Sequence, residues 1–107
     1  MRRAAARREV KVNVDVDKEL LFITVIGQDK KGIVARISGL LYERNINIED
    51  ISQGVMQGYF VMTMLVDLRE ATADLENISH VLQQLGDEMG LRIQLQHQNI
   101  FKAMHRI

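Results

Sequence analysis

The run Ile26 to Val34, IGQDKKGIV, gathers the residue types best placed for chemistry in this chain. An apolar segment ends, a charged loop turns around Gly32, and apolar residues at helical spacing follow at once. If a helix starts there, several backbone N–H groups between Lys31 and Val34 have no acceptor within it. Those donors and the positive end of the helix dipole favour an anion such as a carboxylate, the dipole contributing roughly 0.3–1 kcal/mol. Gly32 has no side chain to hold a ligand away from the backbone. Asp29 has two readings: its carboxylate accepts hydrogen bonds from an ammonium, or it simply caps the helix. The loop is therefore a site for a small zwitterion or a capped polar turn, and spacing alone leaves both open.

Other chemistries find little support. His80, His97 and His105 are scattered, with no HxxxH or HxH spacing, and read as structural or surface histidines rather than metal ligands. Glu49 with Asp50, and Asp87 with Glu88, are adjacent acids that point in different directions on a regular element, so neither forms a general acid/base pair. No GxSxG, P-loop or GxGxxG is present. A phosphate cradle of the acylphosphatase kind needs an arginine in or beside the loop. The loop offers Lys30 and Lys31, and Arg36 lies a turn into the helix. The expectation is no catalytic residue, no metal, no cofactor and no enzyme activity.

Composition narrows the class further. At 107 residues, 47% hydrophobic and 26% charged, the chain has the length and balance of one globular domain. It has no cysteine, so disulfides and thiolate metal sites are excluded, and a reducing cytoplasm is the expected location. No apolar run approaches the ~20 residues that cross a bilayer, so no membrane partner is expected. The net charge is zero, but residues 1–18 hold six Lys or Arg against three acids, and residues 19–107 eight against eleven. The basic head reads as a flexible extension. Val10, Val12, Val14 and Val16 alternate with polar residues, so it could also supply an added edge strand.

The elements that must position the loop follow from periodicity. LLFITVI (20–26) is a strand. Ile33, Ile37, Leu40, Leu41 and Arg44, with Val34 beside them, form a helical stripe. ERNINIED ends that helix and opens an extended segment through ISQGVMQ; a turn near Gln57–Gly58 leads into QGYFVMTMLVD, which makes a hairpin. Thr72 with Asp74 marks a second helix start, Leu75, Ile78, Leu82, Leu85 and Met89 form its stripe, and Gly90 stops it. LRIQLQ alternates as a strand with one wet face. Ile100, Phe101, Met104 and Ile107 then recur at helical spacing in a short C-terminal segment. The order β-α-β-β-α-β, with right-handed crossovers, is the ferredoxin-like plan of the α+β class: a four-stranded antiparallel sheet with two helices on one face.

In that plan the first and third strands are central, and both are apolar on both sides. Leu21, Ile23 and Val25 oppose Phe22 and Ile26; Phe60, Met62, Met64 and Val66 oppose Tyr59, Val61 and Leu65. A sheet with one solvated face alternates more cleanly. The C-terminal segment, the valine strand or a second copy must cover the back, and a homodimer is the preferred reading. RNA binding on the same plan is disfavoured. The recognition module places third-strand aromatics two apart on one face, whereas Tyr59 and Phe60 are neighbours on opposite faces. Nucleic acid is therefore not an expected partner.

The stretch ITVIGQDKKGIVARISGLLYERNINIEDISQGV resembles the start of an ACT domain, the small-molecule regulatory module of amino-acid metabolism. It is similar to the glycine-cleavage repressor type and to the N-terminal domain of formyltetrahydrofolate deformylases. The closing IFKAMHRI resembles a subfamily of stand-alone, single-ACT-domain proteins. The resemblance covers residues 19–107 and leaves residues 1–18 outside. It implies a βαββαβ domain that dimerises with sheets side by side or face to face and binds amino-acid-like effectors at the interface. In such domains the first loop, here Asp29, Lys30, Gly32 and Ile33, meets Asn47 and Ile48 of a neighbouring protomer. With Lys31 and Val34 from the helix start, these are the expected ligand-binding residues. The functional expectation is a non-enzymatic, amino-acid-sensing regulatory homodimer, with a protein-interaction module lacking any small ligand as the alternative.

Overall fold

Alternation along each strand decides which side of the sheet is buried. In the computed structural model, which describes residues 18–97, β1 (Leu20–Gln28) sends Leu21, Ile23 and Val25 into the core. The helix α1 (Ile33–Glu43) lays Ile33, Ile37 and Leu41 against them. β2 (Asn47–Met56) and β3 (Tyr59–Asp67) form a hairpin through Gln57 and Gly58, both at positive φ, as a two-residue hairpin turn of the primed kind requires. From β3, Phe60, Met62, Met64 and Val66 are buried. The helix α2 (Leu75–Met89) contributes Ile78, Leu82, Leu85 and Met89. β4 (Leu91–His97) contributes Leu91 and Ile93. These residues form one continuous core.

The sheet order is β2-β3-β1-β4 and every pairing is antiparallel, so β1 and β3 are central, as the ferredoxin-like plan has them. The α2 stripe is shorter than its spacing suggests. Leu75 is 42% exposed, because the first residue of the helix lies beyond the end of the core. Arg44 ends α1 instead of continuing its stripe: its guanidinium donates to the Leu40 carbonyl and the Asn77 side chain. The pairing of β2 with β3 carries an irregularity between Ile48 and Asp50, where Glu49 is the extra residue of a bulge.

The back of the sheet carries Phe22, Val61 and Leu65 half-buried, while Ile26 and Tyr59 are 44% and 53% exposed. The expected valine strand (10–16) and the C-terminal helical segment (99–107) lie outside the described residues. Among the described residues no helix is long and apolar enough to cross a membrane.

Candidate functional site

β1 delivers the chain into the loop at Gln28, and α1 starts five residues later at Ile33. Gly32 occupies the N-cap position at φ 84°, ψ 4°, and no side chain caps the helix. Asp29 is exposed and plays no capping part, so that reading of it is not realised. The first intrahelical bond runs from the Arg36 N–H to the Gly32 carbonyl at 2.9 Å. The amides of Ile33, Val34 and Ala35 precede it and find no acceptor in the helix. No acidic residue occupies the first turn of α1.

The lysines of the loop have different roles. Lys30 donates from Nζ to the Met89 carbonyl at 2.7 Å, setting its charge on the negative end of α2. Arg36 pairs with Glu88 at 3.2 Å and fastens the start of α1 to the same helix end. Lys31 is exposed. The Ile33 side chain is spent in the core and Val34 is packed against it, so these two can offer a ligand only their backbone N–H groups. What remains is a cradle of bare amides with one exposed carboxylate beside it. It can take a carboxylate on the amides and an ammonium on Asp29.

Asn47 and Ile48 lie elsewhere in the chain. Gln28 pairs with Tyr59 at one end of the sheet, whereas Leu20, Asp67 and Asn47 pair across the other. Eight residues of strand separate the two rows, about 26 Å at ~3.3 Å per residue. One chain therefore does not bring the two groups together. Asn47 instead lines a cavity of about 380 Å³ with Tyr42, Glu49, Asp67, Arg69 and Glu70. Ile48 is half-buried against the core.

This second end holds polar groups that spacing did not single out. Asp67 is only 5% exposed, yet its carboxylate accepts from the Glu19 and Arg69 amides at 3.1 and 3.0 Å and pairs with the Arg69 guanidinium at 3.2 Å. Glu49, turned by the bulge, accepts from the Lys18 ammonium, and from Asn47 Nδ2 at 2.6 Å. The Lys18 hydrogen bond holds the Glu49 carboxyl below its ordinary value of 4.5, against the opposing effect of burial, and Asn47 acts in the same direction as Lys18. No local motif betrays this cluster, since Lys18 and Glu49 are 31 residues apart. A carboxylate at the end of the apolar run MLVD was the only signal available. Among the described residues no three His, Asp or Glu side chains are grouped to hold a metal ion.

The strand order, the loop ahead of α1 and the polar start of β2 define a small ferredoxin-like module of the ACT kind, and the ACT-domain profile matches residues 19–96. The chain belongs to the ACT-domain family. A UPF0237 protein of Methanopyrus kandleri is 49% identical over 85 residues, covering 79% of this chain and 94% of that protein. Among solved structures, an ACT domain protein from Streptococcus pneumoniae is 36% identical with a TM-score of 0.70, covering 79% of this chain and 96% of its own. A formyltetrahydrofolate deformylase from Pseudomonas syringae pv. tomato superposes with a TM-score of 0.74 over 87% of this chain and 32% of its own. At 18% identity that likeness is one of fold alone.

Proposed function

We propose that this protein is a non-enzymatic cytoplasmic regulator that binds an amino-acid-like molecule as a homodimer. One observation carries the reading. The bare amides of α1 and the exposed Asp29 form half a site at one end of the sheet, and Asn47 and Ile48 stand about 26 Å away at the other. A pocket that uses both needs two chains. The ligand carboxylate is assigned to the amides around Gly32, its ammonium to Asp29, and Asn47 of a second copy closes the pocket. Membership of the ACT-domain family supports the ligand class.

A ligand that binds the folded state raises stability by mass action, about 2.7 kcal/mol at a hundred times its Kd. Thermal-shift measurements with each common amino acid at millimolar concentration are expected to pick out one or a few that raise Tm. A flat response across the whole set, in a protein shown by sedimentation to be dimeric, would remove the proposal. The alternative, a protein-interaction module without a small ligand, draws on the Lys30 and Arg36 contacts, which fasten the loop as a structural turn. It predicts that flat response together with capture of one stoichiometric protein partner without added metabolite.

A further inference from the structure

The back of the sheet is a strip rather than a plain. Phe22 pairs with Leu65, and Ile26 with Val61, so the apolar side chains come from the two central strands. The outer strands line the strip with polar residues: Gln96 and Arg92 on β4 stand level with Phe22 and Ile26, and Asp50 on β2 stands level with Leu65. Between the two apolar pairs lies a hydroxyl row, Thr24 with Thr63, continued by Ser52. Two neighbouring strands are ~4.8 Å apart and a helix with its side chains is about 10 Å wide, so one helix covers such a strip and leaves the rims wet. A second copy of the same sheet would stack polar rim on polar rim.

We propose that residues 98–107 of the same chain cover this strip. β4 ends at His97, which pairs with Leu21, one residue past the row that sets Gln96 beside Phe22. The chain therefore leaves the sheet at the Phe22–Leu65 end of the strip. Gln98 and Asn99 supply a polar reversal, and eight residues remain. As a helix these span about 12 Å, and the strip from Phe22 to Ile26 runs about 13 Å. Ile100, Phe101, Met104 and Ile107 fall within one third of the helix circumference, and Lys102, His105 and Arg106 fall on the opposite side. The charges agree as well: residues 18–97 carry seven Lys or Arg against eleven acids, while residues 98–107 carry Lys102 and Arg106 and no acid. The valine segment, with its period of two, presents no such helical stripe. Covering the strip still leaves the sheet edges to a second copy, among them that of β2, exposed from Asp50 to Met56.

The chain has no cysteine, so introduced thiols report without background. Leu65→Cys combined with Phe101→Cys, and Val61→Cys combined with Met104→Cys, are to be oxidised in the full-length protein at low concentration. At least one pair is expected to give an intrachain disulfide, seen as a monomer-mass species on a non-reducing gel and confirmed by peptide mapping. Three results overturn the proposal: no disulfide in either pair, a disulfide only between chains, or efficient intrachain coupling of Leu65→Cys to Val12→Cys or Val14→Cys instead. A full-length Phe101→Asp variant gives a second readout, a severalfold gain in fluorescence of an apolar-surface dye. Unchanged dye binding in that variant also counts against it.

Discussion

Gly32 is held at φ 84° in open surroundings, where a Cβ would meet nothing within 4 Å. The glycine answers to backbone conformation rather than crowding, because a left-handed residue at this N-cap is costly for other side chains. The same openness would let the proposed ligand reach the amides behind it. At the other end of the sheet, Glu49 yields a pH prediction. Its carboxyl titrates lower in the fold than in the unfolded chain because Lys18 and Asn47 hold the charged form. The unfolded state then binds more protons in the window below the ordinary value, so stability rises with pH there. The contribution is fully present above about 4.5 and fades as pH falls through the folded value. Glu49→Gln is expected to cost about 0.5–1 kcal/mol at neutral pH, with the gap from wild type closing in strong acid. Urea denaturation across the pH range measures it, and a gap that persists undiminished at pH 2 contradicts the assignment.

The two helices begin differently. Asp74 caps α2 by accepting from the Asn77 N–H at 2.8 Å, and Glu76 adds a favourable charge in the first turn. α1 has neither. The far end of α2 is stopped by Gly90 and held by Lys30, and the helix sits close enough to β4 that Gln83 donates to the Ile93 carbonyl at 2.9 Å. Gly86 permits that approach, since a Cβ there would lie 2.7 Å from the Leu91 carbonyl oxygen. Gly86→Ala is therefore expected to push α2 off β4 and to cost about 1–3 kcal/mol. Denaturant titration reads the cost, and a neutral result would show that the helix slides without penalty.

For the molecule as a whole, the separation of Asp29–Val34 from Asn47–Ile48 means that the proposed pocket, if it uses both groups, takes one from each of two chains. Complementation tests this directly. Gly32→Asp should abolish binding through the loop, and Asn47→Ala should weaken it through the other half, each in a protein that stays folded and dimeric. In a mixed dimer one site collects both changes and the other collects neither. Mixing the two variants is expected to restore about a quarter of the wild-type sites if dimers assort randomly in a twofold-symmetric assembly. Calorimetric titration of the mixture with an amino acid found by thermal shift gives the count. No recovery after verified subunit exchange would place the pocket within one chain.

Most of the architecture is legible in the residues themselves, because it rests on local physics. The apolar, β-rich runs of β1 and β3, the period of two in β4, the helical spacing from Ile33 and from Leu75, and the stops at Gly58 and Gly90 outline the elements and their order. The loop was legible as well, since a charged run around a glycine between a strand and a helix needs no partner to be noticed. The unpairing of Asp29 from the helix cap, the diversion of Lys30 to Met89, and the cluster of Lys18, Glu49 and Asp67 depend on groups brought together from distant parts of the chain. Periodicity reports which face of an element a residue occupies. It carries no information about which end of the sheet that residue reaches, and that placement put the two halves of the expected pocket about 26 Å apart.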